Sequence, residues 1–490
     1  MAVVIGAGVG GLAVAARLAA AGHRVDVVER AATHGGKLGA FSRDGFTFDT
    51  GPSLLTLPQV FRDLFTDTGA DLDTALDLRR VDPACHYRFA DGTTLDVPHD
   101  ADAVPGALDA ALGPPAGEQW AALMAGAARL WDLVGEPVLR NPLGGVTDLV
   151  KRATNLRDLA AIAPWRTLHG LGRGLDDLRL RQFLDRYATY SGSDPRKLPA
   201  VMSVVPYVEQ RFGAWHPAGG MRRLADALLQ RCTDLGVRFH FGTEVVAVET
   251  DAAGVVGVRL ADGERVADRT VVSDADAGNL YGHLVRDRRA RGPLRALRSV
   301  RPSLAGFVLL LALRGRTEDP RHHRVLFPDD YDDEFRSIFG KHPRPVPDPT
   351  AYVCSPGDPG SAPPGCEGWF VLVNAPRHEP GSGVDWDRPG LADEYADLVL
   401  ATLARRGLDV RDRLRWREVR TPADWERDTA SPGGSIYGSS SNGPRAALLR
   451  PANRSPVPGL HLVGGSAHPG GGLPIVTLSA EITARLIGPA

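Results

Sequence analysis

A strand, a glycine loop and a helix open this chain, and that order constrains everything after it. Ala2-Val3-Val4-Ile5 is an apolar run of strand length, and Gly6-Ala7-Gly8-Val9-Gly10-Gly11 reads as a tight turn. Leu12 to Ala21 is an alanine-rich helix, and Gly22 is its stop. Arg24-Val25-Asp26-Val27-Val28 then makes a second strand that ends on Glu29. The spacing Gly6-x-Gly8-x-x-Gly11 thus lies between a strand and a helix, with a carboxylate at the tip of the next strand. In that setting a glycine motif binds a dinucleotide. Gly6 permits the turn, Gly8 lets a pyrophosphate approach the backbone, and Gly11 lets helix and strand pack closely. The helix N-terminus faces the anion, and Glu29 is placed to accept from the ribose hydroxyls of an adenosine. The alternative is a degenerate βαβ unit that binds nothing.

A length of 490 residues sets a prior of about three domains, although discontinuous two-domain enzymes of this size are common. Lys+Arg 57 against Asp+Glu 59 leaves a formal charge of -2, so no nucleic-acid partner is expected. Hydrophobic residues at 43% are enough for a large core. Cys85, Cys232, Cys354 and Cys366 are scattered, without metal-type spacing, which points to a reducing compartment and no disulfide framework. With the first strand beginning at residue 2, no signal peptide is expected. The longest apolar run, Ala305 to Leu313, is too short to cross a bilayer. A cytoplasmic protein, soluble or peripheral to a membrane, is the expectation.

Further along, Gly35-Gly36-Lys37 is a glycine loop carrying a cation, which fits a second phosphate contact or a plain surface turn. The alternation in Gly45-Phe46-Thr47-Phe48-Asp49 suggests a short strand, and Thr50-Gly51-Pro52 brings bare backbone to some surface. Asp91-Gly92 between two short strand-like runs over 85–98 signals a hairpin. Residues 100 to about 200 are helical in pattern, with no strand-like run. There Lys151, Arg152, Arg157, Arg166 and Arg173 interleave with Leu149, Leu156, Leu159, Ile162, Trp165 and Leu168, with Asp158 opposing. Such a stretch lies on an anionic membrane surface or is an ordinary solvated face, and pattern alone favours the latter. Strands are expected over Gly236–Phe241, Glu244–Val248 and Thr270–Ser273, and a largely loop region over Lys341–Glu367. Leu460-His461-Leu462-Val463 is a last strand, running into a glycine loop over 464–472 and a helix opened by Pro474. The amides and dipole of this second unit can face the edge of an isoalloxazine where negative charge develops on reduction. His468 is either catalytic there or an imidazole that fixes the loop.

With these residues assembled, the chain resembles the bacterial phytoene-desaturase family of carotenoid dehydrogenases, within the amine-oxidase-like FAD superfamily. The match spans essentially the whole length. It runs through the first glycine loop, Gly35-Gly36-Lys37, Phe48-Asp49-x-Gly51-Pro52 and Tyr187-x-x-Tyr190-x-Gly192. It continues with Gly213-x-Trp215-x-Pro217-x-Gly219-Gly220-Met221, Pro432-x-Gly434-x-Ile436-Tyr437-Gly438 and Arg450-Pro451. Gly464-Gly465-Ser466-x-His468-Pro469-Gly470-x-Gly472-x-Pro474 completes it. The first motif is shared by many flavoproteins, whereas the tryptophan and His-Pro-Gly motifs are specific to this family and its near relatives.

The resemblance implies an α/β fold: a Rossmann-like, glutathione-reductase-type FAD-binding domain with an inserted α+β domain for substrate and membrane. The expected division is 1–100, 206–290 and 426–490 for FAD, and 101–205 and 291–425 for substrate. Gly6, Gly8, Gly11, Glu29, Gly36 and Lys37 would hold the ADP end, Lys37 near the flavin-side phosphate. Val245 would touch adenine through its backbone, and Gly465 to Leu473, Gly472 included, would line the flavin. The implied partners are a long isoprenoid or carotenoid substrate in a hydrophobic tunnel, a membrane surface contacted peripherally by the basic stretch, and quinone or oxygen as electron acceptor. One departure stands out. The run Gly-Gly-Ser-Ala-His-Pro-Gly-Gly-Gly-Leu-Pro followed by Leu478-Ser479 looks closer to the hydroxycarotenoid 3,4-desaturase and carotenoid-oxidase branches.

The expected reaction is dehydrogenation of a polyene: a hydride to flavin N5 and a proton lost from the adjacent carbon. It needs no metal or nucleophilic thiol, and the protein mainly positions substrate and excludes water. Solvent, Asp49 and His468 are the candidate proton acceptors. The rivals are an amine oxidase, for which Tyr437 is the candidate cage aromatic, a saturase running the chemistry backwards, and a non-catalytic prenyl-binding escort protein. Retention of Glu29, Lys37 and the His468-Pro469-Gly470 loop argues against the last.

Overall fold

The apolar opening run becomes the middle strand of a five-stranded parallel sheet. The computed structural model describes residues 1–142, 165–443, 446 and 450–490. The strand order is Leu460–Leu462, Val271–Ser273, Ala2–Ile5, Val25–Val28, Arg238–His240, with every neighbouring pair parallel. All residues of Ala2–Ile5 are buried, as a strand covered on both faces requires. The two-residue period divides them between two covers. Ala2 and Val4 enter a core with the helices Val9–Ala20, Arg222–Asp234 and Leu473–Ile487. Val3 and Ile5 enter another with the antiparallel meander Val245–Thr250, Val255–Leu260 and Arg265–Ala267.

A second, seven-stranded sheet is built from the intervening segments. Its order is Leu414–Arg420, Ala305–Arg314, Cys366–Ala375, Ala351–Cys354, His323–Leu326, Cys85–Arg88, Thr94–Val97. The long apolar run is its second strand, and again the period explains the sequence. Phe307, Leu309, Leu311 and Leu313 pack with the helix Leu391–Arg405, whereas Val308, Leu310 and Ala312 pack with Phe46, Phe48 and Phe370. The helices Val104–Leu112, Ala116–Leu139 and Leu178–Arg186 close over the hairpin side, where Trp120 meets Phe183 at 4.7 Å between ring centroids. The architecture is therefore α/β, with a parallel dinucleotide-type sheet and an inserted α+β unit.

Two expectations need correction. The first helix starts at Val9 rather than Leu12, so Gly10 and Gly11 form its first turn and Gly8 is its cap. The hairpin over Cys85–Val97 pairs in parallel with His323–Leu326, so its hydrogen bonds lie in the second sheet and not with the first segment. The region Lys341–Glu367 is largely loop, as expected, around the short strand Ala351–Cys354. Over 100–200 no strand occurs among the described residues, as expected. Of the basic stretch, Leu149, Lys151, Arg152, Leu156, Arg157, Asp158, Leu159 and Ile162 lie outside the described residues. Among the described residues no helix is long and apolar enough to cross a membrane.

Candidate functional site

The chain leaves the first strand into a loop whose shape depends on missing side chains. Gly6 has φ +99°, and a Cβ at Gly11 would collide with the Gly6 carbonyl. Gly8 caps the first helix and has no side chain to satisfy the amides of the first turn, of which Gly11 bonds the Asp274 carboxylate. Glu29, at the tip of the neighbouring strand, closes this loop directly: Oε2 accepts from the Ala7 amide at 2.7 Å and Oε1 from Ala31 at 2.8 Å. The Gly35 amide donates to the Ala7 carbonyl at 2.8 Å, and a Cβ on Gly36 would stand 3.2 Å from the Gly8 Cα. The two N-terminal glycine loops therefore lie against one another. Thr243 donates its amide to the Glu29 carbonyl at 2.9 Å, which brings Val245, at the head of the meander, close to the same strand tip.

Lys37 lies elsewhere than on the glycine loop. Its Nζ donates to the carbonyls of Ser435 at 3.0 Å and Ile436 at 2.8 Å. Burial pushes its pKa down, against the pull of Asp276 and Asp274. Its charge is thus committed to backbone of the Pro432–Gly438 motif, which sequence reasoning did not foresee.

The C-terminal glycine loop meets the first one. A Cβ on Gly10 would lie 3.1 Å from the Gly464 Cα and N, although the two residues are at opposite ends of the chain. Gly472, at φ +108°, caps the helix Leu473–Ile487, again with no side-chain cap. Between the loops stands Asp274, at the end of the strand that separates their two strands. Any Cβ on Gly8, Gly10 or Gly464 would collide with its carboxylate. Burial raises the Asp274 pKa to about 7, although the Gly11 amide bonds to it. Nothing in the sequence singled this residue out, since an acid after a strand looks like any helix cap.

Arg450 and Tyr437 support the second loop. Arg450 donates to the carbonyls of Gly465 at 2.6 Å, Tyr437 at 3.1 Å and Ser439 at 2.9 Å. Burial lowers its pKa to about 10, opposed by Asp276. The Tyr437 ring is so close to Gly471 and Gly192 that a Cβ on either would overlap it. Three motifs remote in sequence, Tyr190-x-Gly192, Tyr437-Gly438 and Gly470-x-Gly472, thus converge.

The two candidate proton acceptors are both held in place. The Nε2 of His468 is 2.9 Å from the Asn141 carbonyl, so it donates there. The His468 carbonyl accepts from Ser479 Oγ at 2.7 Å and Asn453 Nδ2 at 2.9 Å. Burial keeps its imidazole pKa low, and this geometry suits the loop-fixing role. Asp49 accepts from the amides of Met221 at 2.7 Å and Arg222 at 2.8 Å, at the start of the helix Arg222–Asp234. Burial raises its pKa despite those two amides.

Two helix N-termini without side-chain caps, on adjoining glycine loops at one edge of a parallel sheet, can hold an elongated diphosphate. FAD, the group implied by the motifs, fits these residues.

Comparison with known proteins agrees. The profile of the flavin-containing amine oxidoreductase family matches residues 9–488. The chain is 33% identical to 4,4'-diapolycopene oxygenase of Methylomonas sp. over 98% of its own length and 96% of the relative's. It is 32% identical to 1-hydroxycarotenoid 3,4-desaturase of Flavobacterium sp., over 99% and 98%. In solved structures, putrescine oxidase shares the fold with TM-score 0.67 at 15% identity, covering 99% of this chain and 98% of that one. From its first helix to its last, then, the chain belongs to the flavin-containing amine oxidoreductase family.

Proposed function

We propose that this chain is an FAD-dependent desaturase of carotenoids. The observation that carries the reading is the closure of the two remote glycine loops on one another, Gly10 against Gly464, in a chain whose relatives act on carotenoids. When bound, FAD supplies the hydride acceptor for oxidising a carbon–carbon single bond. The chain's own residues bind and orient. Gly6, Gly8, Gly11 and Gly36 admit the diphosphate, Glu29 sets the ribose end, and Val245 offers backbone to the adenine. Gly465 and Gly472 bring helix amides to the ring, with Arg450 and Tyr437 holding that loop. Lys37 belongs to the support as well, through the Ser435 and Ile436 carbonyls. Neither Asp49 nor His468 is assigned the substrate proton. The former has both oxygens on helix amides, and the latter has Nε2 on a carbonyl. The proton passes to solvent.

The domain division follows the expected segments, with the Cys85–Val97 hairpin moved to the substrate-binding unit because of its strand pairing. Peripheral membrane contact is supported by Trp165, 73% exposed beside exposed Arg166, and by Leu178, 64% exposed. Quinone or oxygen is the electron acceptor in this reading.

Co-expression with a carotenoid pathway in a pigment-free host tests it, with the extracts read by absorption. A red-shifted polyene spectrum from phytoene places the chain early in the series. A shift only with hydroxylated or already coloured carotenoids places it late, on the branch to which its C-terminal loop is closer. Spectra unchanged with every carotenoid supplied, from protein that carries flavin, overturn the substrate assignment.

A further inference from the structure

A second cluster of chemistry-bearing side chains lies on the seven-stranded sheet, apart from the glycine loops. His323 and Cys354 are direct partners across the antiparallel pair His323–Leu326 and Ala351–Cys354. Their side chains therefore leave the same face of the sheet. His322, one residue ahead of its strand, places Nδ1 2.9 Å from His323 Nε2. One donor atom from each of His322, His323 and Cys354 falls within 4.8 Å of the other two.

The hydrogen bonds around these rings leave bare nitrogens. His323 Nδ1 is 2.9 Å from the Ala84 carbonyl, which fixes a proton there and turns the lone pair of Nε2 toward His322. That Nε2 also lies 3.3 Å from the Ser53 carbonyl, an acceptor it cannot bond as a lone-pair nitrogen. His322 Nε2 is buried with no hydrogen-bond partner, and so is His216 Nδ1. His216 packs edge-on against His322, ring centroids 4.5 Å apart, and its other nitrogen, Nε2, is 2.8 Å from Asp358 Oδ2. The His323 ring, with Nδ1 fixed by a carbonyl, is oriented as metal-ligating histidines are, and an ion at its Nε2 takes the place of the His322 N–H.

We propose that His322, His323 and Cys354 form a binding site for a borderline-soft divalent ion of the zinc class. Two nitrogens and one sulfur, with water completing the coordination, suit an ion of that kind and not calcium or magnesium, which take oxygen ligands. The Cys354 thiol is buried, and binding must displace its proton. One proton leaves to solvent as the metal–sulfur bond forms, and no electron is transferred. The ion clamps the strands His323–Leu326 and Ala351–Cys354 together on one face, beside His216 of the strand Trp215–Pro217. It has no part in the redox chemistry.

The test uses the full-length, flavin-loaded protein after chelator treatment, titrated with Co²⁺ and then with Zn²⁺. The expected result is uptake of one Co²⁺ per chain with a thiolate-to-cobalt charge-transfer band, release of one proton, and loss of the band on adding Zn²⁺. Cys354→Ser should abolish the band with flavin content unchanged. His322→Gln, at a half-buried ring, should weaken Co²⁺ binding roughly tenfold or more. It decides the question if the serine variant does not fold. Folded wild-type protein that takes up no stoichiometric Co²⁺, a band that survives in folded Cys354→Ser protein, or an unchanged Co²⁺ affinity in His322→Gln overturns the site.

Discussion

Glu29 and Asp274 face the same glycine loop with opposite requirements. Glu29 accepts two backbone amides, and hydrogen bonds to an ionised acceptor contribute about 1.5–3 kcal/mol each. Glu29→Ala should therefore lower the flavin-to-protein absorbance ratio of purified protein while leaving a cooperative unfolding transition. A variant with normal flavin content would remove the ribose and loop role together. Asp274 has no such pairing beyond the Gly11 amide, and its pKa is raised to about 7 by burial. A carboxyl whose folded pKa lies above its ordinary value favours the fold while it is neutral. That contribution is complete below the ordinary carboxylate range and disappears as pH rises toward about 7. Wild-type stability should thus fall across that window, and Asp274→Asn should flatten the fall. Equal pH slopes in denaturant titrations of the two proteins would show that the carboxyl is not buried as described. Glu29 was legible in sequence because its place at a strand tip is local. Asp274 was not, because only the sheet order puts it between two loops from opposite ends of the chain.

At the scale of elements, the strand Phe46–Asp49 is tied to the helix Arg222–Asp234 through one carboxylate at the helix N-terminus, where partial positive charge favours an anion. Asp49→Ala should leave two amides without their acceptor and destabilise the chain by about 2 kcal/mol, on the scale of a lost helix cap. The denaturant midpoint reads the change, and turnover by the folded fraction should persist. Loss of turnover at unchanged stability would instead make Asp49 a participant in the chemistry. The strands and helices with a clear period were readable: Ala2–Ile5, the run within Ala305–Arg314 and the last strand all follow from alternation or apolar length. The partners of such elements were less so. Nothing local tells the Cys85–Val97 hairpin to join His323–Leu326, or Leu78–Arg80 to pair with Trp215–Pro217. Those choices are made by packing between distant segments. Lys37 is the same lesson at a site, where a cation beside glycines suggested phosphate and the fold gave it two carbonyls.

For the whole molecule, the exposed Trp165, Arg166 and Leu178 set one expectation. Flotation with vesicles containing anionic lipid should recover the protein, and Trp165→Ala with Arg166→Ala should reduce that recovery and leave flavin content alone. Recovery equal to that with neutral vesicles would dismiss these residues as the contact. The contact of Gly10 with Gly464 has a consequence for how the protein is made. The first glycine loop leaves the ribosome long before the loop that faces it. The strand Val271–Ser273 can join the first strand while its other side still waits for Leu460–Leu462. Until that strand and its loop are made, a nascent chain holds half a cofactor site. Chains stalled before residue 464 should not retain FAD however well their first strands have formed, whereas chains released with the second loop in place should take it up.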